Sequence, residues 1–384
     1  MVRVHSKIIL SAAVIVLFSI RGFCSDITLE KSLDLFRKHY LSEADQQLKK
    51  TILERVNIEP AFRADLVSLL IKRLSFYEED YKGDGDIRAL RELNAVEVLP
   101  QLLQRWNKTN KKTYYLDWAD PRVQLLVTIA QFIPEQERIK FLISTEEDEQ
   151  EAPQVRFRAV IVLCASGNKE AIKHVLSVYE QMKKKYSRTT RISLEDQTRY
   201  APKKQEWDSD ADMMTDYTER GLLLDPSNKD TDGDGLLDGN DRNPLSAAHN
   251  QMSQAQQIAQ FLFYLHVTYA EEPSSPFPFK VWIVQTIDNY DGKGLPSLFG
   301  GIELTGIEGI VLHMDKNHVE KYRRLHGYGT PIVSIHEMKG SKESEKEFHL
   351  SEYIAPEGAT GWQIQLKCFD GVWLPVYWEM TWIS

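Results

Sequence analysis

From Ser25 to about Lys185, apolar residues recur every three or four positions along the chain. Leu66, Leu69 and Leu70 lie on one such stripe, and Leu33 and Phe36 belong to another. This spacing places apolar side chains on one face of an α-helix. No stretch in this range shows the alternation of a half-buried strand. The pattern therefore predicts an all-α domain over residues 25–185.

Three helix pairs follow one another in this domain with a loose period in the thirties, at 89–106, 121–142 and 155–182. Such a succession resembles HEAT-type helical repeats, which stack so that each pair covers its neighbour's apolar face. By that resemblance, the domain would present a surface for a protein partner. An irregular helical bundle is the alternative. We expect turns or solvated loops at 82–86 and 146–151.

The pattern changes near residue 245. One helical stripe covers 246–270, and shorter strand-like segments follow at 279–287, 298–305, 309–314, 330–338, 361–369 and 373–383. Asp370 and Gly371 form a hairpin turn between the last two segments. We predict an α+β domain at 245–384, in which one helix packs on a curved antiparallel sheet. This outline resembles the NTF2-like and cystatin-like cones.

An acidic stretch separates the two domains and contains one ladder of carboxylates twice. Both copies follow the spacing D-x-D-x-D-x-x-x-D-x-x-(D/E). The first copy consists of Asp208, Asp210, Asp212, Asp216 and Glu219, and the second of Asp230, Asp232, Asp234, Asp238 and Asp241. We define these as the first loop (208–219) and the second loop (230–241).

This spacing suits a bound calcium ion. Carboxylates at positions one, three and five can face one centre, position seven can add the backbone carbonyl of Met214 or Leu236, and position twelve completes the oxygen shell. Without an ion the arrangement is costly, because two unit charges ~4 Å apart repel by roughly 4 kcal/mol at an effective dielectric near 20. A solvated acidic linker is the alternative interpretation.

The second loop has glycine where the chain turns sharply, at Gly233 and Gly235, whereas the first loop has Ala211 and Met213. We therefore expect the first loop to bind calcium more weakly. The phrase at 224–236, together with the duplication, resembles the bacterial form of the thrombospondin type 3 repeat. That resemblance implies the ten acids above as calcium ligands. Pro244 and Pro226 argue against the flanking helices of an EF-hand or a dockerin.

The 384 residues suffice for two or three domains, and the formal net charge is −9. Residues 208–241 contain 11 acids and two bases, which sum to −9, so the remainder is balanced. The charge therefore marks a local metal site and gives no reason to expect nucleic acid as a partner. We predict a multidomain chain with a linker at 186–207 and calcium loops at 208–244.

The segment 1–24 has the features of a bacterial export signal. Arg3 and Lys7 precede an apolar run at 8–20, and small residues at Gly22 and Cys24 favour cleavage before Ser25. An uncleaved anchor is the alternative. No other segment is apolar enough to cross a membrane, so the mature chain would be periplasmic or extracellular. Millimolar calcium outside the cell would fill even weak loops.

Motifs for catalysis are lacking in the sequence. No G-x-S-x-G or zinc-type histidine spacing occurs, and the remaining cysteines, Cys164 and Cys368, are predicted to be small core residues. We expect His313 and His336 to be satisfied or solvated. Of the C-terminal tryptophans, Trp378 and Trp382 are predicted to be core, and Trp362 and Trp373 to be more exposed.

Two functional hypotheses follow. In the first, the protein is an exported, non-enzymatic scaffold in which calcium stiffens the joint between the helical and α+β domains. In the second, the α+β cone holds a pocket that binds or converts a small molecule, or it binds a glycan through Trp362 and Trp373.

Overall fold

The computed structural model describes residues 28–37, 42–76, 84–109, 120–187, 197, 207–247, 252–269, 275–288, 295–338, 344–355 and 358–383. The expected export signal at 1–24 lies outside these residues, as does most of the expected linker at 186–207. Backbone contacts divide the chain into two compact units, residues 1–141 and 142–384. None of the described helices is long and apolar enough to span a bilayer.

The first unit is helical throughout its described residues, as predicted. Its helices are α1 (Leu29–Arg37), α2 (Glu43–Ile58), α3 (Pro60–Phe76), α4 (Asp84–Glu92), α5 (Leu99–Lys108) and α6 (Pro121–Phe132). The next helix, α7 (Glu135–Glu147), starts in the first unit, and its residues from Leu142 onward belong to the second. Ser42 and Asp45 form a capping box at the start of α2, and the Asp120 side chain caps α6. Leu66, Leu90 and Ile129 belong to one buried cluster.

The turn predicted at 82–86 is wrong from Asp84 onward, because α4 begins at that residue. The Asp86 side chain is fully buried, and one of its carboxyl oxygens lies 3.6 Å from Nε of Arg73. The alternating Asp and Gly suggested a turn, but an acidic first helical turn also complements the helix dipole. The HEAT-like arrangement stays a prediction.

The second unit contains helices and a six-stranded sheet. Its elements are α8 (Pro153–Ala165), α9 (Lys169–Lys185), α10 (Asp216–Leu222), α11 (Gln254–Tyr269), α12 (Lys316–His326), β1 (Val281–Gln285), β2 (Ile287–Asp288), β3 (Leu295–Pro296), β4 (Ile310–Met314), β5 (Ile332–Glu337), β6 (Glu345–Ala355), β7 (Gly358–Phe369) and β8 (Val372–Ile383). The chain thus combines a helical region with a C-terminal α+β region.

The sheet is mixed, so the prediction of a purely antiparallel sheet is wrong. Its order is β4-β1-β5-β6-β7-β8, with β1 parallel to both β4 and β5 and the remaining pairs antiparallel. All five residues of β4 are buried, as are the first four of β1 and the first five of β5. Continuous burial of this kind is typical of parallel strands covered on both faces.

Two strand assignments also differ from the sequence pattern. The segment 298–305 is a loop, and its Leu304 backbone binds a side chain near the acidic loops instead of joining the sheet. β6 is an additional strand, which pairs with β5 and β7. Its sequence holds three glutamates and one lysine, and among its described side chains the buried apolar ones are Phe348 and Leu350.

The helices α8, α9 and α11 belong to the second unit, and α8 and α11 pack against strands of its sheet. The rings of Phe157 on α8 and Trp378 on β8 lie 4.9 Å apart, edge to face, and Tyr179 on α9 meets Phe261 on α11 at 4.9 Å. The compact unit therefore begins at Leu142, whereas the sequence pattern places a boundary near Lys185.

The expectation of a solvated loop at 146–151 is wrong for its two ends, since Glu146 and Glu151 are both buried. Within the second unit, Glu146 accepts a hydrogen bond from the Tyr269 hydroxyl at 2.7 Å and lies 3.0 Å from Nε2 of His174. A charged residue is tolerated inside when such partners surround it.

Candidate metal site

The acidic segment 208–241 contributes apolar side chains to the core of the second unit. Met214, Leu222 and Leu224 are buried in the same apolar cluster as Ile283 of β1 and Leu312 of β4. The helix α10 begins inside the first loop, where the Thr215 hydroxyl caps it, and its C-cap residue Leu223 lies in the left-handed region. Apolar residues inside an acid-rich segment thus fold it onto the sheet.

The two loops adopt the same local structure. In the first, the Asp208 carboxylate accepts from the backbone N–H groups of Asp212 and Met213 at 3.2 and 3.1 Å. In the second, the Asp230 carboxylate accepts from those of Asp234 and Gly235 at 3.1 and 2.9 Å. Each loop is thereby wrapped around the carboxylate of its first position.

The backbone of the loops repeats as well. Ala211 and Gly233 have φ of +64° and +77°, and Met213 and Gly235 have φ of +79° and +94°. In the first loop, Ala211 and Met213 therefore adopt the left-handed conformation that favours glycine, at a cost of roughly 1–2 kcal/mol per residue. This is the physical basis for expecting weaker ion binding there.

Within the described ranges, carboxyl oxygens converge in three places. Within each group, one oxygen of every member lies within 4.8 Å of the others, and the groups are Asp208, Asp210 and Asp212; Asp230, Asp232 and Asp234; and Asp212, Glu219 and Asp238. The first two groups are positions one, three and five of each loop, as the spacing predicts. The third group joins the first loop to the second, which the sequence did not reveal.

Glu219 is the acid of the third group whose carboxylate is buried without a described hydrogen-bond partner. Its side chain is 0% exposed, and neither carboxyl oxygen has a hydrogen-bond partner among the described residues. Both oxygens of Asp210 are likewise buried without a partner there. A buried polar atom without a partner costs roughly 1–3 kcal/mol, and more when it is charged. A divalent cation would supply the missing interactions for both side chains.

The electrostatics follow the same geometry. Burial, reinforced by the charges of Asp212 and Asp210, raises the pKa of Glu219 to about 8. Burial also raises the pKa of Asp212 and of Asp238 to about 6. Carboxylates with raised pKa values are groups whose charge lacks compensation, and a bound cation would provide it.

Asp216 and Asp241 are predicted ligands that belong to none of the three carboxylate groups. Asp216 accepts from the backbone and hydroxyl of Ser209 at 2.8 and 2.9 Å and pairs with Arg220 at 3.0 Å. Burial alone would raise the pKa of Asp216, but these contacts outweigh it and lower the pKa. Asp241 is buried and accepts from the Asn243 backbone at 2.8 Å.

The backbone contributions predicted at position seven concern Met214 and Leu236. Their N–H groups donate to Asp212 at 2.6 Å and to Asp234 at 2.8 Å. These bonds orient the fifth-position carboxylates. The use of the two carbonyl oxygens as ligands stays a prediction.

The loop segment is attached to the sheet through its last residues. The Arg242 carbonyl accepts from Val311 of β4 at 2.7 Å, and its guanidinium donates to the carbonyls of Ile307 and Gly309 at 2.8 and 2.6 Å. Asn243 pairs with both backbone groups of Leu304 at 3.1 Å. The segment therefore lies along the edge strand of the sheet.

One residue that supports the first loop escaped sequence reasoning. Gln197 is 2% exposed, donates to the Met213 carbonyl at 3.0 Å and accepts from the Thr215 N–H at 2.9 Å. It comes from the stretch expected to be a solvated linker. A single polar residue in a polar stretch carries no signal that could have identified it.

The second hypothesis placed a pocket under the long helix of the C-terminal region. Phe263 of α11 packs against Trp282 and Phe299 with centroids 6.3 and 5.2 Å apart, so core side chains fill the space there. His313 is buried, and its Nε2 lies 3.1 Å from the Asn243 side-chain oxygen. His336 is buried as well.

The remaining predictions for single side chains have mixed outcomes. Trp378 and Cys164 are buried, as expected, but Cys368 is exposed, so its assignment to the core is wrong. Cys368 pairs with Trp373 one step from the hairpin turn, where the sheet ends and no described helix covers the thiol. The side chain of Trp382 lies outside the described residues.

The two tryptophans proposed for glycan binding are half-buried. Trp362 packs edge to face on His266 at 4.9 Å, and the Lys346 ammonium lies 5.3 Å from the Trp373 ring. Glycan binding stays a prediction.

Comparison of the chain with protein-family models, with curated proteins and with solved structures returns no match.

Proposed function

We propose that this protein binds calcium through residues 208–241 and that the ions hold this segment folded in the second unit. The observation that carries the proposal is Glu219, a carboxylate with no exposed surface and no hydrogen-bond partner among the described residues. Its oxygen lies within 4.8 Å of oxygens of two further carboxylates, Asp212 and Asp238. An all-oxygen site of this charge suits a hard divalent cation.

In this proposal the ions stabilise one folded unit, and they do not stiffen a joint between two separate domains. Met214 and Leu222 of this segment share the buried cluster of β1 and β4, so the loops are internal to the second unit. Bound calcium would offset the repulsion within the segment and thereby stabilise the whole unit. We propose a binding or scaffold role for the protein, with calcium as a structural ion.

Calorimetric titration with calcium tests the proposal on the chain from Ser25 onward. The wild type should bind two ions, one for each loop. The variant Asp232→Ala with Asp234→Ala removes the carboxylates of two positions in the second loop and should lose at least one ion. A wild type that releases no heat at millimolar calcium would refute the proposal.

A matched control separates ligand loss from the loss of surface charge. Asp225 lies between the loops, is exposed, and accepts a local hydrogen bond from the Ser227 N–H at 3.0 Å. Asp225→Asn removes one charge from the same segment and keeps the acceptor oxygen. It should bind the same number of ions as the wild type.

Export is the second part of the proposal. The cationic residues and apolar run of 1–24 support it, as does the calcium supply outside the cell. Expression of the full chain in a bacterium, followed by N-terminal sequencing of the periplasmic fraction, should yield a mature form that begins at Ser25. A cytoplasmic product that retains Met1 would contradict this part.

A further inference from the structure

The two loops touch each other directly. The Gly239 N–H of the second loop donates to an Asp212 carboxyl oxygen of the first at 3.1 Å, and this bond is buried. A methyl group on Gly239 would meet the Asp212 carbonyl oxygen at 2.5 Å and the Met213 carbonyl carbon at 2.8 Å. Only glycine permits this approach, so the contact between the loops is close and specific.

Equivalent aspartates of the two loops meet different surroundings. Asp216 and Asp238 both occupy position nine, and each accepts from the backbone and hydroxyl of the loop's second residue, Ser209 or Thr231. In the first loop Asp216 also pairs with Arg220. In the second loop Asp238 instead lies beside Asp212 and Glu219, within 4.8 Å of both.

Three carboxylates have thus been brought together where the corresponding site has a guanidinium. Asp212, Glu219 and Asp238 are at most 1% exposed, and Glu219 has both oxygens buried without a hydrogen-bond partner among the described residues. Two unit charges ~4 Å apart repel by roughly 4 kcal/mol at an effective dielectric near 20. A positive charge at this place would compensate the three carboxylates, and within the described part of the chain no cationic side chain pairs with Glu219.

We propose that the ion of the first loop takes a ligand from the second loop, Asp238, and that the two loops therefore fill cooperatively. This inference rests on the proposed calcium binding and deepens it. The first loop's oxygen shell is complete only when the second loop is folded against it. Because coupling between two sites is reciprocal, each ion should raise the affinity for the other by the same factor.

Trp207 provides a signal that is specific to the first loop. It directly precedes Asp208, its side chain is 73% exposed, and its carbonyl accepts from the Asp216 N–H at 2.7 Å. Terbium is a luminescent substitute for calcium that an adjacent indole sensitises. The part of the terbium signal that disappears in Trp207→Phe reports occupancy of the first loop.

The test compares three variants by this signal, with calcium calorimetry in parallel. Asp238→Asn should weaken terbium binding at the first loop at least tenfold. Gly239→Ala keeps the charge but separates the loops, and it should weaken the first loop as well. The charge-matched control Asp225→Asn should shift the affinity less than twofold. Near-ultraviolet circular dichroism at saturating calcium confirms that each variant keeps the native packing of the unit.

The outcomes distinguish this inference from the proposed function. If the wild type binds neither calcium nor terbium, both fail. If the wild type binds two ions but Asp238→Asn and Asp225→Asn shift the Trp207-dependent signal equally, only the shared ligand is refuted.

Reciprocity gives a second criterion. Glu219→Gln empties the first loop and should lower the affinity of the second, whereas Asp232→Ala empties the second loop and should lower the affinity of the first. The factor by which the second loop loses affinity when the first is empty should equal the factor by which the first loses affinity when the second is empty. Unequal or absent effects would show that the loops are independent.

Discussion

Met213 and Gly235 stand at the same position of their loops and share a left-handed backbone, with φ of +79° and +94°. The same relationship holds between Ala211 and Gly233, at +64° and +77°. An L-residue in this region costs roughly 1–2 kcal/mol, and glycine does not incur that cost. The first loop therefore stores strain that the second loop avoids.

Substitution of Ala211→Gly together with Met213→Gly should raise the calcium affinity of the first loop. Relief of about 1 kcal/mol corresponds to roughly fivefold tighter binding, after allowance for the greater entropy of glycine in the unfolded chain. Terbium titration monitored through Trp207 measures the change.

The reverse substitution is the control. Gly233→Ala should weaken the second loop by a similar factor, because a Cβ at that position meets no atom within 4 Å and only the backbone strain is changed. Unchanged affinities in both loops would show that the left-handed conformation forms at no cost.

Glu219→Gln should act in opposite directions with and without calcium. In calcium-free buffer it replaces a buried, crowded carboxylate by a neutral amide and should stabilise the second unit by about 1–3 kcal/mol. With saturating calcium it removes a ligand, so the stabilisation by the ion should shrink. Urea denaturation in EGTA and in calcium measures both effects.

Glu320→Gln serves as the control for this pair of measurements, since Glu320 lies on the exposed side of α12 at 50% side-chain exposure. It should change the free energy of unfolding by less than about 0.5 kcal/mol under both conditions. Destabilisation by Glu219→Gln in EGTA would contradict the view that the Glu219 carboxylate is unfavourable without a bound cation.

The free energy of unfolding of the second unit should decrease as the pH falls, because His313 is buried in its neutral form. Burial lowers the pKa of His313 to about 4, whereas an unfolded histidine titrates near 6.5. Between these values the unfolded chain binds a proton that the folded chain does not. Stability is therefore fully present above about pH 6.5 and declines toward pH 4, by roughly 3 kcal/mol in total.

His313→Gln keeps a donor toward Asn243 and removes the titration. Denaturation midpoints of wild type and variant at saturating calcium, from about pH 7 to about pH 4.5, should converge as the pH falls. Parallel profiles for wild type and His313→Gln would refute this assignment.

Arg242→Lys should destabilise the second unit by about 2–3 kcal/mol. The guanidinium donates to the carbonyls of Ser187, Ile307 and Gly309, and an ammonium cannot reproduce this fork. Thermal melting with calcium present measures the loss. Arg324→Lys changes an exposed arginine of α12 and should have no effect; equal melting temperatures for the two variants would contradict the anchoring role of Arg242.

Much of the fold could be predicted because its signals are local. The helical periodicity between Ser25 and Lys185 and the turn at Asp370–Gly371 depend on neighbours in sequence, and the structure has helices and a hairpin there. The parallel strands could not be predicted in the same way. Their order depends on which distant segments pair, and short buried runs such as 281–284 carry no sign of partner or direction.

The candidate metal site also has a part that follows from local sequence and a part that depends on distant contacts. The groups at 208–212 and 230–234 are set by spacing within one loop, so the sequence predicts them. The group of Asp212, Glu219 and Asp238 depends on how one loop lies against the other, which Gly239 decides through its lack of a side chain. Gln197 and the buried Glu146 were likewise invisible, because their environment comes from other elements.

The pairing of Arg242 with Val311 has a consequence for solubility. β4 is the outermost strand on its side of the sheet, and the end of the loop segment occupies part of its free hydrogen-bonding edge. Uncovered edges of this kind recruit strands from neighbouring molecules. If calcium holds this segment folded, as proposed, removal of calcium would expose the edge of β4 and favour self-association through it.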